Sequence, residues 1–132
     1  MTQYAKDRHY LETHEWVMLK ADEATAGISD YAQHELSDVV YVELPEVGDA
    51  FEQGEAFATV ESVKAASDVY MPMSGEILAV NEELQDAPQL VNEDPFGTGW
   101  FIRFRPSKPE QYEPLLDAEA YEKLCQEGES GG

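Results

Sequence analysis

The chain has 132 residues, enough for one domain with a buried core, and its formal net charge is −20 at pH 7. This charge excludes binding to nucleic acid or to an anionic membrane surface, because both require a basic face. It favours partners with basic surfaces, and we expect a monomer because so much like charge repels a second copy. A halophilic origin is a second explanation for the same charge.

The cysteine content and the first residues bear on the location of the protein. Cys125 is the one cysteine of the sequence, so no internal disulfide can form, and this fits a reducing compartment. The first residues lack the apolar core of a signal peptide, and no apolar run approaches membrane-spanning length. We therefore expect a cytoplasmic protein.

Short runs of β-type residues alternate with turn residues along the chain. Proline ends several of these runs, as Pro45 and Pro72 do. Seven strands are predicted, at Glu15–Lys20, Ala24–Ile28, Asp38–Leu44, Ala56–Ser62, Ser67–Met71, Glu76–Asn81 and Trp100–Arg105.

Three segments have the pattern of helices. Ser29 or Asp30 can cap a short helix that runs through Leu36, because their side-chain oxygens accept a free backbone N–H. The segment Glu82–Asp86 is long enough for a single turn. The segment Asp117–Gln126 has apolar residues at helical spacing and predicts a longer helix.

The order of these elements predicts the fold class and the domain limits. Many short strands with few helices indicate a mostly β fold, either a small barrel or a sandwich. No linker divides the chain, so we expect a single domain over residues 1–127. Residues 128–132 are mainly glycine and polar residues, and we expect a flexible tail there.

Lys64 is the only Lys or Arg between Lys20 and Arg103. It stands in the stretch E-S-V-K-A-A-S-D at 61–68, between two predicted strands, so we expect it at the tip of a hairpin. Most exposed lysines have no role beyond solubility. The neighbours of Lys64 are small or apolar, which is unusual for a loop tip and would let an enzyme approach the amine. Glu61, three residues earlier, could be read by such an enzyme.

Several stretches together resemble the glycine cleavage H proteins, a family of lipoyl carriers. The matching stretches are T-H-E-W-V at 13–17, G-I-S-D-Y-A-Q at 27–33, D-V-V-Y-V-E-L-P-E-V-G at 38–48, V-E-S-V-K-A-A-S-D at 60–68, S-G-E-I at 74–77, L-V-N-E-D-P-F-G-T-G-W at 90–100 and L-L-D-A-E-A-Y at 115–121. The resemblance implies a barrel-sandwich hybrid of the lipoyl/biotinyl-carrier type. In that fold the lysine lies on a hairpin, with a short helix in the N-terminal half and a helix at the C-terminus.

The resemblance also implies a function and its partners. Lys64 would carry lipoic acid on its ε-amine, attached by a lipoyl-attaching enzyme that recognises Glu61. The lipoyl arm would take an aminomethyl group from a pyridoxal-phosphate glycine decarboxylase to an aminomethyltransferase. A dihydrolipoyl dehydrogenase would then reoxidise the dithiol. The chain would be the carrier in this system and would not be an enzyme by itself.

Two acids are further candidates by the same resemblance. Family members fold the loaded arm into a cleft, and Glu15 and Asp68 match the positions that would face its amine there. Glu15 could instead be a surface acid at a strand edge, and Asp68 could be a turn residue that binds backbone N–H groups. The three histidines lack the spacing of a metal set, so no metal site is predicted.

Two alternatives to the shuttle remain at this point. The chain could donate lipoyl groups to 2-oxoacid dehydrogenase subunits, or it could be an unlipoylated docking scaffold. The sequence also departs from the family at Ser37, where glycine is usual, and a positive φ there would strain the serine.

Overall fold

The structure is a computed structural model that describes the backbone of residues 2–131 and the side chains of residues 2–127. Its strands are β1 His9–Tyr10, β2 Glu15–Lys20, β3 Glu23–Ile28, β4 Val39–Glu43, β5 Ala50–Phe51, β6 Ala56–Ser62, β7 Ala66–Tyr70, β8 Gly75–Val80 and β9 Ile102–Pro106. Its α-helices are α1 Asp30–Leu36, α2 Glu83–Asp86, α3 Leu90–Glu93 and α4 Ala118–Gly131, and a 3₁₀ turn covers Pro109–Gln111.

The strands form two antiparallel sheets, and the prediction of a mostly β fold is confirmed. The larger sheet has six strands in the order β1-β2-β3-β9-β8-β5, and the smaller has the order β4-β6-β7. The inward faces of both sheets supply apolar side chains to one core, among them Val17, Val60 and Phe104. Burial of these alternating side chains is the main force that joins the sheets.

The α4 helix packs in a second apolar cluster, with Tyr10 of β1 and Trp16 of β2. Tyr121 is buried and stacks on the ring of Tyr10, with 4.3 Å between the ring centroids. Trp16 is buried in the same cluster. Its Nε1 donates a hydrogen bond of 2.9 Å to the carbonyl of Pro95, so its polar atom is satisfied inside the core. This cluster positions the start of β2, where one of the candidate acids lies.

The seven predicted strands are all present, with boundaries shifted by at most two residues. The largest shift is at the last strand, which starts at Ile102 and not at Trp100. Two strands were not predicted, β1 and β5, because each has only two residues and shows no alternation. The α3 helix was also missed. It has four residues and no side-chain cap, so it leaves no signal in the sequence.

The predicted helices are present, and one is longer than expected. The α1 helix begins after Ser29, whose Oγ accepts a 3.1 Å hydrogen bond from the N–H of Ala32. The α4 helix was predicted to end at Gln126, but its backbone stays helical to Gly131. The helix therefore overlaps most of the expected tail, and Gly132 lies outside the described residues. The flexibility of residues 128–132 and the domain limit at residue 127 stay predictions.

Ser37 follows α1 with φ of 68° and ψ of −152°, a backbone conformation that favours glycine. The strain expected from the sequence is therefore present. Its backbone still makes two hydrogen bonds, from its N–H to the carbonyl of Gln33 at 3.0 Å and from Asn92 Nδ2 to its carbonyl at 2.8 Å. These bonds hold the turn that directs the chain from α1 into β4.

Candidate functional site

The site is centred on the hairpin between β6 and β7. These strands pair antiparallel up to Glu61 and Ala66, and Ser62 closes the turn between them. The Ser62 Oγ accepts hydrogen bonds of 3.1 Å from the N–H groups of both Lys64 and Ala65. Because the tip bonds to itself in this way, it has a defined conformation, and Lys64 lies at its end as predicted.

The side chain of Lys64 is exposed and reaches toward α1. Its Nζ donates a 3.2 Å hydrogen bond to the carbonyl of Glu35, in the last turn of that helix. A cation is favourable there because the last carbonyls of a helix carry partial negative charge. The bond is single and open to solvent, so water can replace it at little cost.

A cleft of about 270 Å³ lies between the hairpin, α1 and the start of β2. Both predicted cleft acids, Glu15 and Asp68, line it. The apolar part of its wall consists of Ile28, Ala32, Leu36, Val60 and Val69. The polar part consists of Thr13, His14, Glu15, Tyr31, Glu35, Ser67 and Asp68.

Glu15 is a buried acid, only 2% exposed, so its alternative reading as a surface acid is wrong. Its Oε2 accepts a 2.9 Å hydrogen bond from the N–H of Tyr70, and Oε1 accepts one from the hydroxyl of Thr13. Burial raises the pKa of this carboxyl group to about 7, although both hydrogen bonds act in the opposite direction. Near neutral pH the group can therefore be either neutral or negative.

Asp68 faces the cleft from the middle of β7, where it pairs with Thr59. It is exposed and belongs to a strand, so its alternative reading as a turn residue is wrong. Glu61 is also exposed, but it does not line the cleft. It is paired with Tyr41 of β4, and the structure thus separates the predicted recognition residue from the two cleft acids.

Apart from Glu15 and Asp68, the residues that line the cleft were not predicted from the sequence, among them Glu35 and His14. Glu35 lies at the end of α1 beside Lys64, and only the contact across the cleft reveals its place. His14 has a φ of 80°, and its Nδ1 is 2.7 Å from the hydroxyl of Tyr121. The same hydroxyl is 2.6 Å from Ser29 Oγ. Burial lowers the pKa of the His14 imidazole, so the ring is neutral at neutral pH.

A larger cavity of about 480 Å³ lies away from Lys64, along β5, β8 and β9. It is lined by exposed acids such as Glu52 and Glu76 together with Arg105. We assign the functional site to the smaller cleft, because it contains a buried acid of raised pKa and because one of its lining residues, Glu35, accepts the hydrogen bond from the exposed amine of Lys64. Among residues 2–127, no group of three or more His, Cys, Asp or Glu side chains is arranged to hold a metal ion. None of the described helices is long and apolar enough to cross a membrane.

Comparison with known proteins gives one consistent result. The family model described as glycine cleavage H-protein matches residues 8–128. A glycine cleavage system H protein of Thermus thermophilus is 54% identical over 121 residues, which are 92% of this chain and 94% of the relative. One of Methylacidiphilum infernorum is 53% identical over 123 residues, covering 93% and 96%. The crystal structure of a glycine cleavage system H protein from Mycobacterium marinum has a TM-score of 0.84 and 36% identity, covering 94% of this chain and 98% of its own.

The family model spans far more than half of the chain, and the relatives match over nearly their whole length. The solved structure carries the same mostly β architecture, which confirms the barrel-sandwich hybrid expected from the sequence. The chain belongs to the glycine cleavage H-protein family.

Proposed function

We propose that this chain is the lipoyl-bearing shuttle of a glycine cleavage system and that Lys64 is its attachment residue. The observation that carries the proposal is an exposed lysine at the tip of a self-bonded hairpin, whose amine bonds to Glu35 in the wall of the cleft. The names of the relatives support the shuttle over a lipoyl relay or an unmodified scaffold.

The residues around Lys64 fit a lipoyl group. The Nζ atom is exposed and held by a single hydrogen bond, so an enzyme can reach it. The neighbouring cleft offers apolar side chains for an aliphatic arm, such as Ile28, Leu36 and Val69. When attached, the group would supply a disulfide that opens by attack at sulfur and holds an aminomethyl group for transfer.

The acids of the cleft would hold the charged end of the loaded arm. A primary ammonium is stabilised by carboxylate oxygens in a partly dry site, where charge-assisted hydrogen bonds are strong. Asp68 and Glu35 are exposed and offer their charge at the cleft surface. Glu15 lies deeper, and an ammonium beside it would favour its negative form and lower its raised pKa.

The partners of the shuttle follow from its role. Glycine decarboxylase would load the arm, aminomethyltransferase would unload it, and dihydrolipoyl dehydrogenase would reoxidise it. Before these steps, a lipoyl-attaching enzyme would recognise Glu61 and modify Lys64. The chain would act as a carrier and would catalyse none of these steps alone. A cytoplasmic location and a monomeric state stay predictions.

The test compares Lys64→Arg with Lys20→Arg, a substitution of an exposed lysine in β2. Each protein is exposed to a lipoyl-attaching enzyme and then assayed for glycine-dependent CO₂ release with purified glycine decarboxylase. We expect Lys64→Arg to fold normally and to give no activity, whereas Lys20→Arg retains the activity of the unsubstituted chain. Activity retained by Lys64→Arg would refute the assignment of Lys64.

A further inference from the structure

Three large apolar side chains are exposed at the end of the molecule that carries Lys64. Val40, Tyr41 and Val63 have 54%, 46% and 65% of their surface exposed, and we call them the apolar patch. Within residues 2–127 one other large apolar residue is comparably exposed, Val47 at 63%, which follows the opposite end of β4. Apolar side chains grouped on a surface in this way mark interaction sites, because their exposure to water is unfavourable.

A β-bulge produces the patch. The register of β4 against β6 shifts between Val39 and Tyr41, so Val40 is an extra residue on β4. Val39 and Val42 both point into the core. In a regular strand two residues three apart would point to opposite faces, and the extra residue of the bulge lets both point inward while Val40 and Tyr41 are exposed to solvent.

Backbone contacts join the patch to the lysine hairpin. The N–H of Val63, next to Lys64, donates a 3.0 Å hydrogen bond to the carbonyl of Asp38, just before β4. Exposed acids surround the patch on both strands, at Asp38, Glu43 and Glu61. The surface around the attachment residue therefore combines an apolar centre with a negative rim.

We propose that the apolar patch is the docking surface for the enzyme that attaches the lipoyl group to Lys64. This inference rests on the proposed function of Lys64. The apolar side chains of the patch and the exposed acids beside it indicate the chemistry of its partner, which is an apolar surface rimmed by Lys or Arg side chains.

The reacting atom of Lys64 indicates which enzyme of the system contacts the patch, namely the attaching enzyme. Enzymes that act on the far end of a long arm can work at a distance from the hairpin. The attaching enzyme reacts at Nζ itself and must cover the residues on either side of it. In that step Nζ forms an amide bond with the acyl carbon of an activated lipoyl donor. The bond to the activating group breaks, that group leaves with its electron pair, and the ammonium releases two protons.

The bulge also determines how a partner can dock. β4 is an edge strand of the three-stranded sheet, and a flat edge would invite pairing with a strand of another chain. The extra residue interrupts the regular ladder at Val40, so the edge is a poor template for strand addition. Docking therefore depends on the side chains of the patch, and substitutions of these side chains test it.

The test uses the triple variant Val40→Thr, Tyr41→Thr and Val63→Thr. Threonine keeps the preference for strand conformation and removes apolar surface. The matched control is Val47→Thr, equally exposed but away from Lys64. Purified lipoate–protein ligase with lipoic acid and ATP modifies each protein, and intact mass follows the reaction. We expect kcat/KM for modification to fall at least tenfold in the triple variant and to change less than twofold in Val47→Thr.

Other outcomes would overturn the proposal or separate it from the proposed function. A triple variant modified within twofold of the unsubstituted rate would overturn the docking surface alone. Absence of any modification of the unsubstituted chain, while another lipoyl carrier is modified in the same mixture, would overturn the role of Lys64 itself. If the triple variant does not fold, Val40→Thr alone should lower kcat/KM about threefold, and an unchanged value would overturn the proposal.

Two controls test competing occupants of the patch. Sedimentation velocity that shows a dimer of the unsubstituted chain but not of the triple variant would assign the patch to a second copy. The triple variant can also be lipoylated to completion by long incubation and then loaded by glycine decarboxylase. A loading rate within twofold of the unsubstituted protein is expected. A tenfold loss there would assign the patch to the decarboxylase and contradict the choice of partner.

Discussion

The carboxyl group of Glu15 is the buried acid of the cleft, and its pKa is raised from 4.5 to about 7 by burial. A raised pKa in the folded state means that the neutral acid stabilises the fold relative to the charged one. This contribution is fully present below pH 4.5 and is lost as pH rises through 7. The folded protein is therefore less stable when the Glu15 carboxyl group carries the negative charge that would bind an amine.

Glu15→Gln should remove most of this pH dependence. Between pH 5 and pH 8 we expect the unfolding free energy of the unsubstituted chain to fall by about 2–3 kcal/mol more than that of the variant. Denaturant unfolding at both pH values measures the difference. The exposed acid Glu12 provides the control, since Glu12→Gln should follow the unsubstituted chain. Equal pH dependence in Glu15→Gln and the unsubstituted chain would contradict the raised pKa.

Ser37 provides a second prediction at the residue scale. Its φ of 68° and ψ of −152° are readily adopted by glycine but strain a residue with a Cβ atom. Ser37→Gly should therefore raise the unfolding free energy by about 1 kcal/mol, despite the greater freedom of glycine in the unfolded chain. Ser37→Ala keeps the Cβ atom and should give no such gain. A Gly variant no more stable than the Ala variant, by denaturant unfolding, would show that the turn is not strained.

At the scale of elements, the hydroxyl of Tyr121 joins α4 to the cleft. It lies 2.7 Å from His14 Nδ1 and 2.6 Å from Ser29 Oγ, the cap of α1. One buried hydroxyl on the C-terminal helix thus connects the start of β2 with the start of α1, two walls of the cleft. Loss of this group would remove one hydrogen-bond partner from His14 and one from Ser29, whose Oγ still accepts the N–H of Ala32.

Tyr121→Phe should lower the unfolding free energy by about 1–3 kcal/mol, because buried Ser29 and partly buried His14 each lose a hydrogen bond. Tyr10→Phe is the comparison. It removes one bond, from the Tyr10 hydroxyl to the carbonyl of Ala5, in the same aromatic cluster. Thermal unfolding should show a smaller loss for Tyr10→Phe, and the reverse order would contradict the joining role of Tyr121.

The elements also show what the sequence could predict. Strands such as β2 and β6 are short runs of β-type residues next to turn residues, so local pattern was sufficient to find them. The hairpin tip was predictable because Lys64 stands between two such strands. The burial of Glu15 was not, since a glutamate is rarely fully buried. Inside the fold its carboxylate accepts a hydrogen bond from Tyr70 of β7, and such a contact with a distant strand leaves no local signal. The place of Glu35 in the cleft was also not predictable, because it depends on a contact with Lys64, which is distant in the chain.

For the whole molecule, the formal charge of −20 affects both the stability of the fold and the kind of partner that binds. Within the described residues one pair of oppositely charged side chains lies within 4 Å, Arg8 with Asp7, and His34 lies 3.5 Å from Asp30. Most of the acids therefore repel one another without a paired cation, and this repulsion destabilises the compact state. The same negative surface attracts partners with basic grooves.

Added salt should therefore stabilise the protein. Screening by NaCl weakens the repulsion among the exposed acids. It weakens little attraction between opposite charges, because ion pairs are few. We expect Tm to rise by at least about 3 °C between 20 and 200 mM NaCl, which corresponds to about 1 kcal/mol for a chain of this size. Sucrose at equal osmolality separates screening from a general osmolyte effect. A Tm that falls or stays constant with NaCl would contradict a fold limited by its own charge.

The most direct test of the central claim is the mass of the protein after expression in cells that contain lipoic acid and a lipoyl ligase. Intact mass with peptide mapping should find one lipoyl group, located on Lys64, and none on Lys64→Arg from the same cells. An unmodified Lys64 beside a control carrier that is lipoylated in those cells would contradict the assignment and favour a docking scaffold. A lipoyl group on another lysine would contradict the geometry of the hairpin and the cleft.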